Sequence, residues 1–281
     1  MKEIDLDLVQ QKVKEAFIDA NYHLNPDVRE ALEKAYLIET NLQGKEVLRV
    51  LTDNYKIADE GNFPLCQDTG VAVIFCEIGQ EIHFINGDLN HCLNHAVSEA
   101  YETAFLRKSI VDSPLYNRIN TRQNTPAIIH YEIKSGDELK ITVMPKGGGS
   151  ENMSCLAMLK PADAEEGLIN LVLSHIRKIG GNPCPPIIVG IGIGGNFETC
   201  AYLAKKSLIT EIDTVNPDPA LAELEQKLMN LINETGIGPM GLGGKTTCLK
   251  VSVKTLPCHI ASLPVAINIE CHAHRFKTII I

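Results

Sequence analysis

The chain has 281 residues, a net charge of −9, few aromatic residues and no tryptophan, so its core must rest on Leu, Ile, Val and Ala. An apolar content of 44% supports a sizeable core, in one large domain over residues 1–281 with room for two lobes. The acidic balance excludes general nucleic-acid binding, which needs a basic footprint. The longest apolar run, Ile187 to Gly195, is too short to span a bilayer. The acidic start, Met1 to Asp7, lacks a secretory apolar core. Nine cysteines, an odd number, without an export signal argue against a disulfide framework. The expectation is a soluble, cytoplasmic protein whose thiols serve metal binding or catalysis.

The first sixty residues read as helices, with Val9, Val13 and Phe17 at helical spacing and a similar pattern from Glu30 to Thr40. Val71 to Glu77 reads as a strand, with a hairpin return through Glu81 to Ile85, and Leu89 to Arg107 as a helix. Ala127 to Ile133 and Glu138 to Met144 alternate around Ser135-Gly136-Asp137 and predict an antiparallel hairpin. Asp163 to Ile179 is helical, and Ile187 to Ile193 is a buried-type strand that runs through Gly194-Gly195-Asn196 into another helix. Asn216-Pro217-Asp218-Pro219 is a linker ending in an Asp N-cap with Pro at the first helical position. Two late strands cover Thr247 to Leu256 and Ile260 to Ile269. The expected class is α/β in the mixed α+β sense: a helical N-terminal region, then mixed β-sheets flanked by helices.

Most cysteines read as small core residues: Cys76 and Cys248 lie in strand patterns, and Cys92, Cys155 and Cys200 in or beside helices. Cys66, Cys184 and Cys271 differ. Each sits on a loop or element end, in Pro64-Leu65-Cys66-Gln67-Asp68-Thr69-Gly70, Asn182-Pro183-Cys184-Pro185-Pro186 and Glu270-Cys271-His272-Ala273-His274, where thiolates can be offered to a cluster. Cys258 is a weaker fourth candidate. No C-x-x-C pair is present, so spacing alone does not assign a metal.

Three glycine-rich stretches invite other readings. Gly190-Ile191-Gly192-Ile193-Gly194-Gly195 matches a dinucleotide fingerprint between a strand and a helix, or simply a tight turn. Gly238 to Thr246 approaches a phosphate-binding loop, but proline occupies position 239, where the first glycine belongs. Lys146-Gly147-Gly148-Gly149-Ser150 is either a flexible exit or a backbone nest for a carboxylate.

Taken in order, Cys66-Gln67-Asp68-Thr69-Gly70, Lys146 to Ser150, Cys184-Pro185-Pro186, Gly241-Leu242-Gly243-Gly244-Lys245 and the stretch from His259 to Cys271 resemble the class I (iron–sulfur) fumarate hydratases. Tartrate dehydratase α subunits are the close relatives of that family. The resemblance runs from about Asn54 to the end. It implies a 4Fe–4S cluster held by Cys66, Cys184 and Cys271, with one iron left for substrate. It further implies substrate contacts from Gln67, Asp68, Arg107, Gly148 and Gly149, and catalytic roles for Asp68 and His259. The reaction implied is reversible hydration of fumarate to L-malate, or of a related small dicarboxylate such as tartrate. The base that removes the carbon-bound proton would come from a separate β subunit, in a heterodimer or dimer of heterodimers. The rivals are a nicotinamide-dependent (NAD) oxidoreductase built on Gly190–Gly195 and a non-catalytic iron–sulfur scaffold.

Overall fold

The computed structural model describes residues 1–61 and 63–281. The elements in chain order are β1 (Lys2–Asp5), α1 (Leu6–Tyr22), α2 (Pro26–Ile38), α3 (Leu42–Gly61), β2 (Val71–Gly79), β3 (Ile82–Ile85), α4 (Leu89–Thr103), β4 (Ile128–Lys134) and β5 (Leu139–Lys146). There follow α5 (Gly148–Glu151), β6 (Cys155–Leu159), α6 (Ala164–Ile179), β7 (Ile187–Gly194), α7 (Phe197–Ser207), α8 (Pro219–Asn233), β8 (Cys248–Leu256), β9 (Leu263–Glu270) and β10 (Lys277–Ile280). This is the mixed α/β class expected. No helix among the described residues is long and apolar enough to cross a membrane. The chain forms two compact units, one of Met1–Asn25, Ile57–Gly148 and Arg275–Ile281, the other of Pro26–Lys56 and Gly149–His274.

In the first unit, Val9, Val13, Ala16 and Phe17 of α1 are buried with Leu93, Ala96, Val97 and Ala100 of α4 against the sheet. Asp5 caps α1 by accepting from the Asp7 N–H, and Asp88 caps α4 by accepting from the His91 N–H. The α4 helix stops at Thr103, so Arg107 lies on a loop rather than at a helix end. The sheet order is β10-β5-β2-β4, and neither expected hairpin forms. β2 lies between β4 and β5, parallel to the first and antiparallel to the second. β3 leaves β2 to pair in parallel with β1. The reason is burial. Residues 72–76 of β2 are all buried, which suits a central strand, whereas alternating β4 suits an edge. The Ser135-Gly136-Asp137 turn therefore crosses the end of β2, where a Cβ on Gly79 would lie 2.4 Å from the Gly136 carbonyl oxygen.

In the second unit the sheet order is β6-β9-β7-β8, with β7 antiparallel to β9 and parallel to β8. Leu168, Val172 and Ile176 of α6 and Leu224, Leu228 and Ile232 of α8 share one core with this sheet. Asn196 and Thr199 form a capping box on α7, and Asp218 caps α8 ahead of Pro219. The α7 helix packs directly on the glycines of β7. A Cβ on Gly190 would lie 2.3 Å from the Ala204 carbonyl oxygen, and one on Gly192 would lie 2.1 Å from that of Cys200. Close helix–strand packing thus accounts for these glycines without a nucleotide. Gly192→Ala is expected to cost about 3 kcal/mol of stability, because backbone must move to admit the methyl group. An unchanged urea midpoint would contradict the close approach.

Candidate active site

The first unit builds a tight loop around Asp68. Leu65 anchors the approach, burying its side chain while its N–H donates to the Asn21 carbonyl at 2.8 Å. Cys66 follows, half-buried, and then exposed Gln67. The Asp68 carboxylate accepts from the Gly70 N–H through Oδ1 at 3.0 Å and from the Gly148 N–H through Oδ2 at 2.8 Å. Each oxygen keeps acceptor capacity for another partner. The Thr69 hydroxyl donates to the Arg107 carbonyl at 2.9 Å, which fixes the Arg107 backbone beside this loop and leaves its residue exposed. Asp68, Arg107 and Gly148 are thus brought together around this loop. The Gly148 N–H, however, is directed at Asp68, so it orients the acid.

Three residues that sequence reasoning did not select hold the loop from below. Arg275 is buried and donates from Nη2 to the Asp68 carbonyl at 2.7 Å, while its Nε and Nη1 find no hydrogen-bond partner among the described residues. Tyr101 is fully buried; its hydroxyl donates to the Thr69 carbonyl at 2.6 Å and lies 3.0 Å from that of Gly70. Buried Asn124 donates to the Gly70 carbonyl at 3.1 Å. Desolvation pushes the Tyr101 phenol far above its ordinary range, so it remains a donor at any working pH. Tyr101→Phe is expected to cost about 1–2 kcal/mol, the penalty for stranding buried carbonyls. A melting temperature equal to the parent's would show that water replaces the hydroxyl.

The second unit brings two of the three expected thiolates to one end of its sheet. Cys184 ends a turn before β7, at φ +57°, with its N–H donating to the Gly181 carbonyl at 3.1 Å. Cys271 directly follows β9. The two segments are fastened by His272, whose ring Nδ1 lies 2.9 Å from the Cys184 carbonyl and whose N–H lies 3.4 Å from it. Beside them Ser150 donates to the buried Glu270 carboxylate at 3.1 Å. Glu151 meets Lys205 and Asn268 at 2.7 and 3.0 Å. The loop that begins at Gly149 is thereby fixed to the strand ahead of Cys271.

Cys66 belongs to the first unit and Cys184 and Cys271 to the second. Within neither unit do three or more His, Cys, Asp or Glu side chains gather as a metal-holding group, among the described residues. No disulfide joins any of the nine cysteines. Of the five assigned to the core, Cys76, Cys92, Cys200 and Cys248 are buried and Cys155 is half-buried against the core; burial pushes all five thiols upward, those of Cys76 and Cys248 to about 12. Such thiols are held neutral and are poor ligands.

His259 does not stand beside Cys271 within this chain. It precedes β9 and Cys271 follows it, so eight strand residues, about 26 Å of chain, lie between them. His259 shares the opposite end of the sheet with Gly195, whose N–H donates to the Pro257 carbonyl at 3.2 Å. With exposed Cys258 and Ile260 it borders a cavity of ≈ 500 Å³ between α6 and α8.

Comparison with known proteins covers nearly all of these elements. A family model described as fumarate hydratase (Fumerase) matches residues 10–280. A Methanocaldococcus jannaschii protein named "Putative L(+)-tartrate dehydratase subunit alpha" is 43% identical over 272 residues, 95% of each chain. Proteins named L(+)-tartrate dehydratase subunit alpha are similar at 33% identity in Escherichia coli O157:H7, over 91% of this chain and 84% of theirs, and at 34% in Escherichia coli UTI89, over 90% and 84%. Because the match takes in the Asp68 loop, the Cys184 turn and the end of β9 alike, the chain belongs to the fumarate hydratase (Fumerase) family.

Proposed function

We propose that the chain is the cluster-bearing α subunit of a hydro-lyase that interconverts fumarate and L-malate and works with a separate β subunit. The observation that carries this reading is the fastening of the Cys184 turn to the end of β9 by His272. Two ligands of one cluster need that proximity. The donor set fits the group: three cysteines on loops or element ends, each half-buried, supply soft sulfur, while the desolvated core thiols do not. Cys66, Cys184 and Cys271 would hold a 4Fe–4S cluster. With one iron free of protein ligands, that group supplies Lewis acidity toward a hydroxyl and a carboxylate.

The chain's own residues then bind, orient and move a proton. The Asp68 side chain, steadied by the Gly70 and Gly148 N–H groups, gives a proton as the carboxylic acid to the departing hydroxyl, which leaves as water, and as the carboxylate takes one back from water in the hydration direction. Arg107 receives the distal carboxylate through its guanidinium fork. Gln67 and the Gly149 backbone add polar contacts. This places positive and donor groups where an acidic chain must receive a dianion. His259 tunes or shares that proton in this reading, while within this chain β9 stands between it and Cys271. The carbon-bound proton is removed by a base on the β subunit, consistent with relatives named as α subunits.

The relatives' names favour a second reading, dehydration of L(+)-tartrate. One experiment addresses both: anaerobic reconstitution of the chain alone and with its β subunit, followed by assays with fumarate, L-malate and L(+)-tartrate. Lacking the base, the chain alone is expected to turn over at less than about a hundredth of the rate of the pair. Full turnover by the chain alone would overturn the two-subunit reading. Turnover of tartrate without malate would move the assignment to the second.

A further inference from the structure

The Gly238–Thr246 stretch looks like a phosphate cradle in sequence, and its backbone donors do meet an anion, but one supplied by this chain. Glu39 directly follows α2 and is 2% exposed. Its Oε1 accepts from the N–H groups of Thr40 and Asn41, both at 2.9 Å. Its Oε2 accepts from the Lys245 N–H at 2.7 Å. Burial would push this carboxyl up; the backbone donors outweigh it and hold the carboxyl below its ordinary range. Gly244 passes so close that a Cβ there would lie 2.7 Å from Oε2.

The same loop bears on the turn that carries Cys184. The Met240 N–H donates to the Pro185 carbonyl at 2.7 Å. Gly241 packs on Gly181, where an added Cβ would lie 2.7 Å from the Gly181 Cα. Gly181 in turn accepts the Cys184 N–H. A continuous run of backbone contacts therefore leads from the Glu39 carboxylate through the loop to Cys184, all within the second unit.

We propose that Glu39 is a positioning residue for Cys184: its carboxylate is the internal anion around which residues 238–246 fold, and that loop holds the Cys184 turn in shape to ligate a cluster. Cys184's part as a ligand rests on the proposed function, whereas the mechanical coupling concerns this unit alone. A carboxylate suits the task because both oxygens only accept; an amide would set an NH₂ against backbone N–H groups.

The test uses the full chain. In the cluster-free protein, alkylation of Cys184 by iodoacetamide is followed by peptide mass spectrometry, with Cys258 at the far end of the sheet as internal reference. Glu39→Gln and Glu39→Ala are expected to raise the Cys184 to Cys258 rate ratio about tenfold, as the turn opens locally. Formate refilling the space left in Glu39→Ala is expected to bring the ratio back, and neutral acetamide is not; general loosening would respond to neither. In the reconstituted protein, iron loss to a chelator is expected to quicken by about the same factor. A folded variant with an unchanged ratio and unchanged iron loss would overturn the proposal, as would formate failing to lower a raised ratio. If Glu39→Ala does not fold, Glu39→Gln and Glu39→Asp decide by the same ratio. If the parent chain takes up no cluster while the ratio still responds, the cluster reading fails and the positioning role stands.

Discussion

Serine in place of Cys184 or Cys271 is expected to abolish iron retention after anaerobic reconstitution, whereas Cys258→Ser leaves it intact. A serine hydroxyl is a hard, protonated oxygen at neutral pH and does not replace a thiolate toward iron. In the proposed function, removing either sulfur would leave too few ligands for a cluster with one iron already free of protein ligands. Activity with the β subunit should fall with iron content, by about 10⁴-fold or to background, since the Lewis acid and its substrate contacts disappear together. The comparison with Cys258 is informative because that thiol is more exposed than either, so exposure alone would favour it. It sits at the His259 end of β9, remote from the Cys184 turn. Iron and sulfide per chain at parental levels in Cys184→Ser or Cys271→Ser would remove the basis of the proposed function.

Asp68→Asn is expected to lower kcat by about 10³-fold while iron content stays at the parental level, within the range for losing one positioned acid. The change preserves size but not hydrogen-bond polarity. Both carboxylate oxygens accept a backbone N–H, from Gly70 and from Gly148, so the new NH₂ must confront one of them. In the proposed function proton transfer would be lost, and the loop that follows Cys66 would be loosened as well. If Asp68 acts on the departing hydroxyl, kcat and kcat/KM for L-malate fall together, the pattern of a contact made only in the transition state. A raised KM with kcat preserved would assign Asp68 to uniform substrate binding. Iron lost in parallel would assign it to shaping the Cys66 loop.

Much of this was legible in the sequence where local chemistry decides it. The Asp218-Pro219 start of α8, the capping of α7 by Asn196 and the apolar run of β7 each depend on residues within a few positions of one another. Pairing partners were not legible. Two alternating segments around Ser135-Gly136-Asp137 carry every mark of a hairpin, and only the completely buried interior of β2 shows that another strand is inserted between them. Ordered motifs brought out Asp68, Cys184 and Cys271. They could not show that the Gly148 N–H serves Asp68, nor that β9 carries His259 away from Cys271, because motif order holds no distances. Arg275, Tyr101 and Asn124 escaped notice since each acts on backbone carbonyls of residues 68–70, a role with no spacing rule. A guanidinium between buried Ala273 and Phe276 was the one clue available for Arg275.

The interleaving of the two units governs how the protein can be made. Residues 26–56 and 149–274 interrupt a unit whose sheet is finished only when Lys277–Ile280 joins the edge of β5. During synthesis that unit must wait, missing an edge strand and Arg275, until residues 275–280 have left the ribosome. The second unit has all its strands in hand some ten residues sooner. Asp68 thus receives its last support only after the second unit has been made, so a chain cut short before Arg275 would carry the three thiols but an unbraced Asp68.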